Sequence, residues 1–429
     1  MQTPILKGPT VRRRDFLRLG ALGVSVASTY PAFVGKTAAA TGEANPLDDR
    51  VLVVLQLSGG NDGLSTVVPY SDPAYGRARE INRLREESVL NIDERVGLHP
   101  NLAELKEIYD EGRMAIVQGT SYPNPTRSHF ESMDIWHAAD RIGARRGSGW
   151  LGRAIDSTCG NRMNPLLSVC LGSEVPLALE GERSKPLTFQ RPGSYQWRGS
   201  RQQRDAFLRL NSPSPESKTS GSIRQIDFLR QVAADANASS QDIRKATQGY
   251  RPVAPYPMGN RSRGNRLGAE LRLVAAMIAA RLPTRVFYVS LGGFDTHANQ
   301  RGRHDNLMTI LSKGLAAFLE DLKAQSLLDR VVVLAFSEFG RRVKENASRG
   351  TDHGVAGPML LFGGGVRGGL HGAHPSLTDL VNGDLAMTSD FRQVYATVLD
   401  DWLGISSGEV LGKDWGWLPL FQTERLRAF

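Results

Sequence analysis

Residues 285–297 read RVFYVSLGGFDTH. This β-branched and aromatic run has the composition of a strand, and Gly292 and Gly293 end it. Asp295 and His297 follow, two positions apart, on the loop beyond. Because loops after strands commonly carry the functional groups of α/β proteins, the stretch predicts a carboxylate and an imidazole at one edge of a sheet.

Short apolar runs of the same kind recur along the chain. They are VLVVLQL (51–57), MAIVQG (114–119), LLSVCLG (166–172), VVVLAF (331–336) and PMLLFG (358–363). Such continuous runs are typical of strands buried on both faces of a mainly parallel sheet. Apolar residues at helical spacing occur in other stretches, over 101–111, 267–282, 305–322 and 390–403. The alternation of strands and helices predicts a doubly wound α/β fold.

One stretch, at about 177–265, interrupts this alternation. It contains NSPSPESKTSGS (211–222) and YRPVAPYPMGNRSRGN (250–265), which are rich in turn-forming residues, and one amphipathic segment at 223–236. We interpret the stretch as an insertion or cap on a single main domain that spans 41–429, not as a separate catalytic domain.

The first 40 residues have the features of an export signal. Arg13 and Arg14 begin the twin-arginine pattern RRDFL, a weakly apolar stretch follows, and residues 38–40 are alanines suited to cleavage. A basic amphipathic first helix is the alternative, but Pro31 and an unpatterned Ala-rich stretch argue against it. The sequence therefore predicts a signal peptide read by the twin-arginine translocase, and a periplasmic or extracellular mature chain from Thr41. No later run approaches the ~18 apolar residues of a membrane span, so none is expected in the mature chain.

The net charge of +9 is concentrated in the same N-terminal segment. Residues 1–40 hold six basic residues and one acidic residue, so the rest of the chain carries +4. That value is unremarkable for this length. Aromatic residues also do not alternate with basic ones, as they do in platforms for single-stranded nucleic acid. We therefore expect no nucleic-acid partner.

The chain has two cysteines, Cys159 in a polar loop and Cys170 in an apolar run. In an oxidising compartment they could form a disulfide. A buried strand residue and an unrelated loop residue are the alternative, which the sequence leaves equally open.

Three further loops offer groups that bind metals. Asp62 follows the first apolar run in QLSGGNDGL, Glu338 follows the run that ends at 336, and His353 lies in GTDHG. Turn formation is the structural alternative for Asp62 and for the FDTH sequence. However, carboxylates and imidazoles crowded at one sheet edge favour a neutralising cation. Together with Asp295 and His297, these residues predict a site for one or two divalent ions, with Zn, Mn, Mg or Ca as candidates.

The segment SYPNPTRSHFES (121–132) offers a nucleophile beside this site. Ser128 is a good helix N-cap with Glu131 three residues later, which predicts a capping box. The same helix start would favour an alkoxide or a bound anion, with Thr126 as the competing hydroxyl. Arg127 and His129 flank Ser128 as candidate anion-binding and proton-donating residues. The sequence has no GxSxG, HExxH or P-loop motif.

These motifs together resemble a known family. GGNDGL, YPNPTRSHFES, GGFDTH, SEFGRR and GTDHG, in this order after a twin-arginine leader, resemble the bacterial exported family called domain of unknown function 1501. The resemblance covers nearly the whole mature chain. That family looks like a branch of the alkaline phosphatase and sulfatase superfamily, which implies a three-layer α/β/α sandwich with a metal site at the strand ends.

The superfamily resemblance can be stated residue by residue. Asp62 resembles the first-strand Asp that bridges the metals, and Thr126 or Ser128 lies near the position of the nucleophile. Asp295 and His297 resemble the central ligands, and His353 resembles the late His ligand. The chain departs from the pattern at Glu338-Phe339, where many superfamily members have an Asp-His pair. Phenylalanine cannot bind a metal, so a second metal site would be weaker or missing, and the sulfatase cysteine has no counterpart in PNPTRS.

The sequence thus predicts an exported, metal-dependent hydrolase of phosphate or sulfate esters, acting on an anionic small-molecule or polymer ester. The predicted metal ligands are Asp62, Asp295, His297, Glu338 and His353. Ser128, Thr126 or a metal-activated water would be the nucleophile, with His129 as general acid. Arg127 and Arg341 would hold the anion. The alternative is an exported binding or assembly protein that keeps a phosphatase-like scaffold without turnover, which Phe339 and the ambiguous nucleophile support.

Overall fold

The computed structural model describes residues 49–140, 147–158, 164–194, 199–210, 238–258 and 266–422. The predicted signal peptide, the amphipathic segment predicted at 223–236, and Cys159 lie outside these residues. Cys170 is buried. Within the described ranges, none of the helices combines the length and the apolar character that crossing a membrane requires.

The strands fall into one large sheet and two small ones. In chain order they are β1 Val51–Ser58, β2 Val67–Val68, β3 Leu90–Asn91, β4 Gly97–Leu98, β5 Met114–Ser121, β6 Ser168–Leu171, β7 Leu187–Phe189, β8 Val286–Gly292, β9 Val331–Phe336, β10 Gly357–Gly363, β11 Gly369–His371, β12 Leu380–Val381, β13 Asp384–Leu385 and β14 Ser389–Asp390.

The helices occupy most of the connections between these strands. The α-helices are α1 Gly63–Thr66, α2 Pro73–Ala78, α3 Ala103–Asp110, α4 His129–Ala138, α5 Trp150–Thr158, α6 Arg201–Leu210, α7 Leu267–Ala279, α8 Gln300–Ala324, α9 Phe391–Thr397 and α10 Ser407–Leu411. Residues 238–248 are also helical. Short 3₁₀ turns lie at Glu86–Ser88, Pro100–Leu102, Pro165–Leu167, Leu177–Leu179, Pro192–Ser194 and Leu328–Arg330, and a π-helical turn at Val398–Leu403.

Within the described residues the main sheet has nine strands, in the order β11-β5-β10-β9-β1-β8-β6-β7, with β14 paired to β5. β1 runs parallel to its two neighbours, β8 and β9. β10 runs antiparallel between β5 and β9. All six predicted apolar runs lie in this mainly parallel sheet, which confirms the prediction. The edge strand β7 comes from inside the stretch that we interpret as an insertion.

Both faces of the sheet are covered, because successive residues of a strand point to opposite sides. Along β1, Val53 and Leu55 belong to a buried cluster with residues of α7 and α8. Leu52 and Val54 belong to a second buried cluster with residues of α4, α5 and α9. A strand that is apolar at every position suits this double coverage. The protein is therefore a three-layer α/β/α sandwich, as predicted.

One edge of the sheet collects the loops that carry the candidate site. The register pairs Ser58 with Gly292, and Gln56 with Phe336, so that β1, β8 and β9 end together. Thr120, near the end of β5, pairs with Gly357 at the start of the antiparallel β10. The loops after β1, β5, β8 and β9, and the loop before β10, therefore meet at this edge.

A buried carboxylate attaches residues 250–256 to the core. Asp321 on α8 accepts hydrogen bonds from Tyr250 Oη at 2.5 Å, Tyr256 Oη at 2.8 Å and Val253 N at 2.8 Å. Because Asp321 and both tyrosines are buried and their polar groups need partners, these hydrogen bonds fix where the segment lies on α8.

A buried polar chain lies under α4 and includes His137 of that helix. Tyr288 donates its hydroxyl proton to Gln56 Oε1 at 2.5 Å, so His137 Nε2, 2.9 Å from the same hydroxyl, donates to it. Burial lowers the pKa of His137 to about 4. The imidazole is therefore neutral at pH 7, as this packed position requires.

His137 should make the stability of the protein depend on pH. Its pKa in the folded state lies below the ordinary value of 6.5, so its contribution is complete above pH 6.5 and is lost as the pH falls through 4. The difference corresponds to about 3 kcal/mol. Chemical unfolding of His137→Gln between pH 7 and pH 4 should show a smaller fall in the free energy of unfolding than wild type. An unchanged pH dependence would contradict this assignment.

Candidate metal centre

Two imidazoles and one carboxylate converge at the sheet edge. His297 Nε2 and His353 Nε2 lie 2.9 Å apart. Asp295 Oδ1 lies 3.0 Å from His297 Nε2 and 3.2 Å from His353 Nε2. The cluster is open to solvent, since the side chains of Asp295 and His297 are 48% and 45% exposed. The structure thus brings together three of the five predicted ligands.

The opposite ring nitrogen of each imidazole already has an acceptor. His353 Nδ1 lies 2.9 Å from the carbonyl oxygen of Arg127, and His297 Nδ1 lies 3.2 Å from Asp352 Oδ1. A carbonyl or a carboxylate can only accept, so each Nδ1 donates, and each Nε2 is the ring nitrogen that a cation would bind. A cation bound to both Nε2 atoms, which lie 2.9 Å apart, would also lie beside Asp295 Oδ1. In metal-ligating histidines the ring nitrogen opposite the ligating one usually donates to an acceptor in this way.

His129 brings a third imidazole to the cluster. Its Nδ1 lies 2.8 Å from Glu338 Oε1, and its Nε2 lies 3.7 Å from Asp295 Oδ2. Ligating atoms of His129, Asp295 and His353 all lie within 4.8 Å of one another. His129 can therefore act as a further ligand or exchange protons with a group bound at the cluster.

Glu338 is buried and lies behind His129. Its Oε1 also accepts a hydrogen bond from Gly59 N at 2.8 Å. This position makes Glu338 the hydrogen-bond partner that orients the imidazole of His129, where the sequence had predicted a direct ligand. Glu338 does follow a strand that ends at the site, as predicted. Its carboxylate contacts the cluster through the imidazole of His129.

Arg341 is buried, and its guanidinium holds the loops of the site together. It donates to the carbonyl oxygens of Gly60 and Thr351, both at 2.8 Å, of Phe294 at 3.0 Å, and of Gly59. It also donates to Asp295 Oδ1 at 2.8 Å. With its donors used inside the protein, Arg341 does not have the free guanidinium that the predicted anion-binding role requires.

The carboxyl group of Asp295 is ionised over the whole physiological range. Burial acts to raise its pKa, but the hydrogen bonds from Arg341 and His353 and the charge of Arg341 outweigh burial and lower the pKa to about 2. The carboxylate therefore offers negative charge to a cation without first having to release a proton.

The carboxylate of Asp62, the remaining predicted ligand, forms an ion pair with Arg79. Both of its oxygens accept from Arg79, at 2.6 and 3.1 Å, and Oδ2 also accepts from Ser65 Oγ and Gln300 Nε2. Burial acts to raise the pKa of Asp62, yet the neighbouring Arg79 guanidinium holds it well below its usual range. Arg79 follows seventeen residues later, outside the GGNDGL motif, so the motif gave no sign of this ion pair.

The two candidate nucleophiles lie at the start of α4, and among the described residues no imidazole accepts a hydrogen bond from either hydroxyl. Thr126 Oγ1 donates to Glu131 Oε2 at 3.1 Å and accepts from Ser128 N at 3.2 Å. Ser128 occupies the N-cap position of α4, but its side chain makes no capping hydrogen bond. The predicted capping box is therefore wrong, because Glu131 pairs with Thr126 instead. Arg127, the other predicted anion-binding residue, donates to Asp384.

Phe339 forms an apolar wall of the cluster. Its ring centroid lies 4.8 Å from that of His129 and 4.6 Å from that of His353. The close packing requires glycine at Gly60, where an added Cβ would lie 2.4 Å from Phe339 Cε2. Gly59 is similarly constrained, since its Cβ would lie 2.4 Å from the backbone nitrogen of Asp295.

The protein is an α/β sandwich, and residues of the types that bind metals form a cluster at the ends of its strands. A family model described as "Protein of unknown function (DUF1501)" matches residues 112–413, and the chain belongs to this family. The predicted family resemblance is confirmed. No curated protein matches the sequence.

Solved structures with a similar fold share little sequence with this chain. A putative sulfatase from Bacteroides thetaiotaomicron is 11% identical, with a TM-score of 0.33, over 86% of this chain and 75% of that one. An alkaline phosphatase from the Antarctic bacterium TAB5 is 12% identical, with a TM-score of 0.30, over 74% and 92%. The C-terminal periplasmic domain of EcEptC from Escherichia coli, in a complex with Zn, is 10% identical, with a TM-score of 0.31, over 76% of each chain.

The ion pair between Asp62 and Arg79 predicts that Asp62 supports the fold and does not bind the metal. Asp62→Asn should lower the free energy of unfolding by about 3 to 5 kcal/mol, because it leaves the buried charge of Arg79 without its partner. Arg79→Met should have an effect of the same size. The folded fraction of both variants, examined by elemental analysis, should retain the metal content of wild type. If folded Asp62→Asn loses the metal, Asp62 is a metal ligand and this prediction is wrong.

Proposed function

We propose that the protein is an exported, metal-dependent hydrolase of phosphate or sulfate esters. The observation that carries the proposal is the convergence of His297 Nε2, His353 Nε2 and Asp295 Oδ1, with both Nδ1 atoms tied to acceptors. The donor set fits a divalent ion, and its imidazoles favour Zn over Mg, Mn or Ca. The twin-arginine pattern in residues 1–40 supports export through the translocase.

Asp295, His297 and His353 would hold the ion, with His129 close enough to join them. Three protein ligands at a solvent-exposed position resemble catalytic sites, because structural sites are usually closed by four ligands. A bound divalent ion supplies Lewis-acid polarisation of the ester and activates water as a nucleophile. Two features support one ion and not two. Phe339 lies beside the histidines, and Arg79 forms an ion pair with the carboxylate of Asp62.

His129 and Glu338 would move the proton during hydrolysis. Because His129 Nδ1 donates to buried Glu338, its Nε2 is free to accept a proton from the attacking water. The water oxygen forms a bond to phosphorus or sulfur, the bond to the ester oxygen breaks, and His129 returns the proton to the departing oxygen. Water is the favoured nucleophile over Ser128 and Thr126, because His129 is the base held at the cluster and, among the described residues, neither hydroxyl forms a hydrogen bond with it.

The first test measures metal content and turnover in the same preparations. Protein purified without chelator should contain about one divalent ion per chain, and Asp295→Asn and His353→Ala should lower its affinity more than 100-fold, beyond the usual effect of a residue behind the ligands. Wild type should hydrolyse at least one member of a panel of aryl phosphate, phosphodiester and sulfate substrates. Both variants should lose that activity.

Ser128→Ala is the matched control for these ligand variants. It should keep the metal and most of the activity, because water and not the hydroxyl is the proposed nucleophile. Protein that contains the metal but turns over no substrate would contradict the hydrolase and favour the binding or assembly protein. Protein without a stoichiometric ion would contradict the metal centre.

The second test addresses the orientation of His297. Asp352→Asn removes the carboxylate that accepts from His297 Nδ1, while Asn346 remains beside the new side chain. We expect about 10- to 100-fold weaker metal binding, measured by competition with a chelator of known affinity, without loss of folded structure. Unchanged affinity would show that Asp352 does not fix the imidazole.

A further inference from the structure

We propose that Arg342, together with Arg127, forms an anion-binding site at the rim of the metal centre. We name these two residues the arginine pair. The ligand is a tetrahedral oxyanion, the phosphate or sulfate group of the substrate. The inference deepens the proposed hydrolase function and rests on it for the identity of the substrate.

The arginine pair meets at a single buried carboxylate. Arg127 Nε donates to Asp384 Oδ2 at 2.9 Å, and Arg127 Nη2 donates to the same oxygen. Arg342 Nε lies 3.9 Å from Asp384 Oδ1. Two guanidinium groups therefore share one negative charge, and the group as a whole is positive.

The guanidinium of Arg342 has donors that the described residues do not use. At 3.9 Å its contact with Asp384 is an ion pair without a hydrogen bond, and Asp384 Oδ1 is buried with no hydrogen-bond partner in the described chain. The side chains of Arg342 and Arg127 are each 38% exposed. Asp384 thus orients Arg342 by charge and leaves its N–H groups available to solvent or a ligand.

Both arginines belong to segments that contact the metal cluster directly. The carbonyl oxygen of Arg127 accepts from His353 Nδ1 at 2.9 Å. The backbone nitrogen of Arg342 donates to the carbonyl oxygen of Asp352 at 3.0 Å, next to the bridge that pairs Arg341 with His353. The arginine pair is therefore tied to the cluster through the backbone on two sides.

The hairpin of β12 and β13 fixes the other side of the arginine pair. Asp384 is the first residue of β13, and the turn before it, Asn382-Gly383, has φ angles of 54° and 80°. An added Cβ at Gly383 would lie 3.9 Å from Arg342 Nη1. The hairpin thus lies beside the guanidinium of Arg342.

The chemistry of the pair selects the class of ligand. A guanidinium offers a planar fork of donors that matches two oxygens of a phosphate or sulfate group. An ester without a free anionic oxygen would gain nothing from this charge. The site that the sequence assigned to Arg341 is therefore supplied by the next residue, Arg342.

The test measures the binding of inorganic phosphate and inorganic sulfate by calorimetry, at constant ionic strength, to the full chain as purified. Wild type should bind at least one of the two anions, and Arg342→Gln should weaken that binding about 10- to 100-fold. Arg342→Lys, which keeps the charge, should recover part of the affinity. The variants should remain folded at the temperature of the assay, which a thermal unfolding scan checks, because the guanidinium of Arg342 makes no hydrogen bond among the described residues.

Arg367→Gln is the matched control. Arg367 is exposed and follows β10, whose end at Gly363 pairs with Val332 near the start of β9, so it lies at the opposite edge of the sheet. Its substitution removes the same charge and should leave anion binding unchanged. Equal effects of Arg342→Gln and Arg367→Gln, or no binding of either anion by wild type, would overturn the proposal.

Failure of the anion site can be separated from failure of the hydrolase. If no substrate is hydrolysed but anion binding depends on Arg342, the anion site stands and the hydrolase does not. If an ester is hydrolysed and Arg342→Gln changes neither its KM nor the binding of the free anions, the hydrolase stands and the anion site is wrong.

Discussion

The buried guanidinium of Arg341 is the contact on which the candidate site depends. It donates to carbonyl oxygens in the loop after β1, the loop after β8 and the loop before β10, and to the Asp295 carboxylate. These loops follow or precede strands that end at one edge, but a shared edge alone does not place side chains within hydrogen-bonding distance. A planar group with several donors in fixed directions can set three backbone segments at once, which a point charge cannot do.

Around this contact, the cluster is arranged by the groups behind the ligands. Glu338, Asp352 and the carbonyl oxygen of Arg127 each accept from an Nδ1 atom, so three imidazoles point their Nε2 atoms towards Asp295. The imidazoles are therefore already held in position for a cation, and Asp295 supplies the negative charge beside them. This arrangement of the ligands is the strongest physical reason to regard the cluster as a site.

The sequence was sufficient for the strands and for the edge at which the cluster forms. Runs such as 331–336 are apolar at every position because both faces of the sheet are covered, and that pattern is local. The partners of the charged residues were not local: Asp62 pairs with Arg79 and Asp384 with Arg127, across 17 and 257 residues. Adjacent Arg341 and Arg342 show the limit best. Arg341 is buried and Arg342 is half-buried, and the burial of Arg341 depends on contacts with distant loops, among them the bridge between Arg341 and His353.

The ion pair at Asp62 determines what kind of chemistry this edge can support. Arg79 neutralises Asp62 and also donates to the carbonyl oxygens of Val343 at 2.5 Å and Arg342 at 2.8 Å. A guanidinium can balance the charge of a carboxylate, but it cannot polarise an ester as a Lewis acid or generate a nucleophile. The ion pair at Asp62 therefore helps to hold the chain just after Arg341 in position. In the proposed hydrolase, the positive charge would come from an ion bound at the histidine cluster and from Arg342. A hydrolase built in this way would use one metal ion and one arginine where a two-metal site uses two cations.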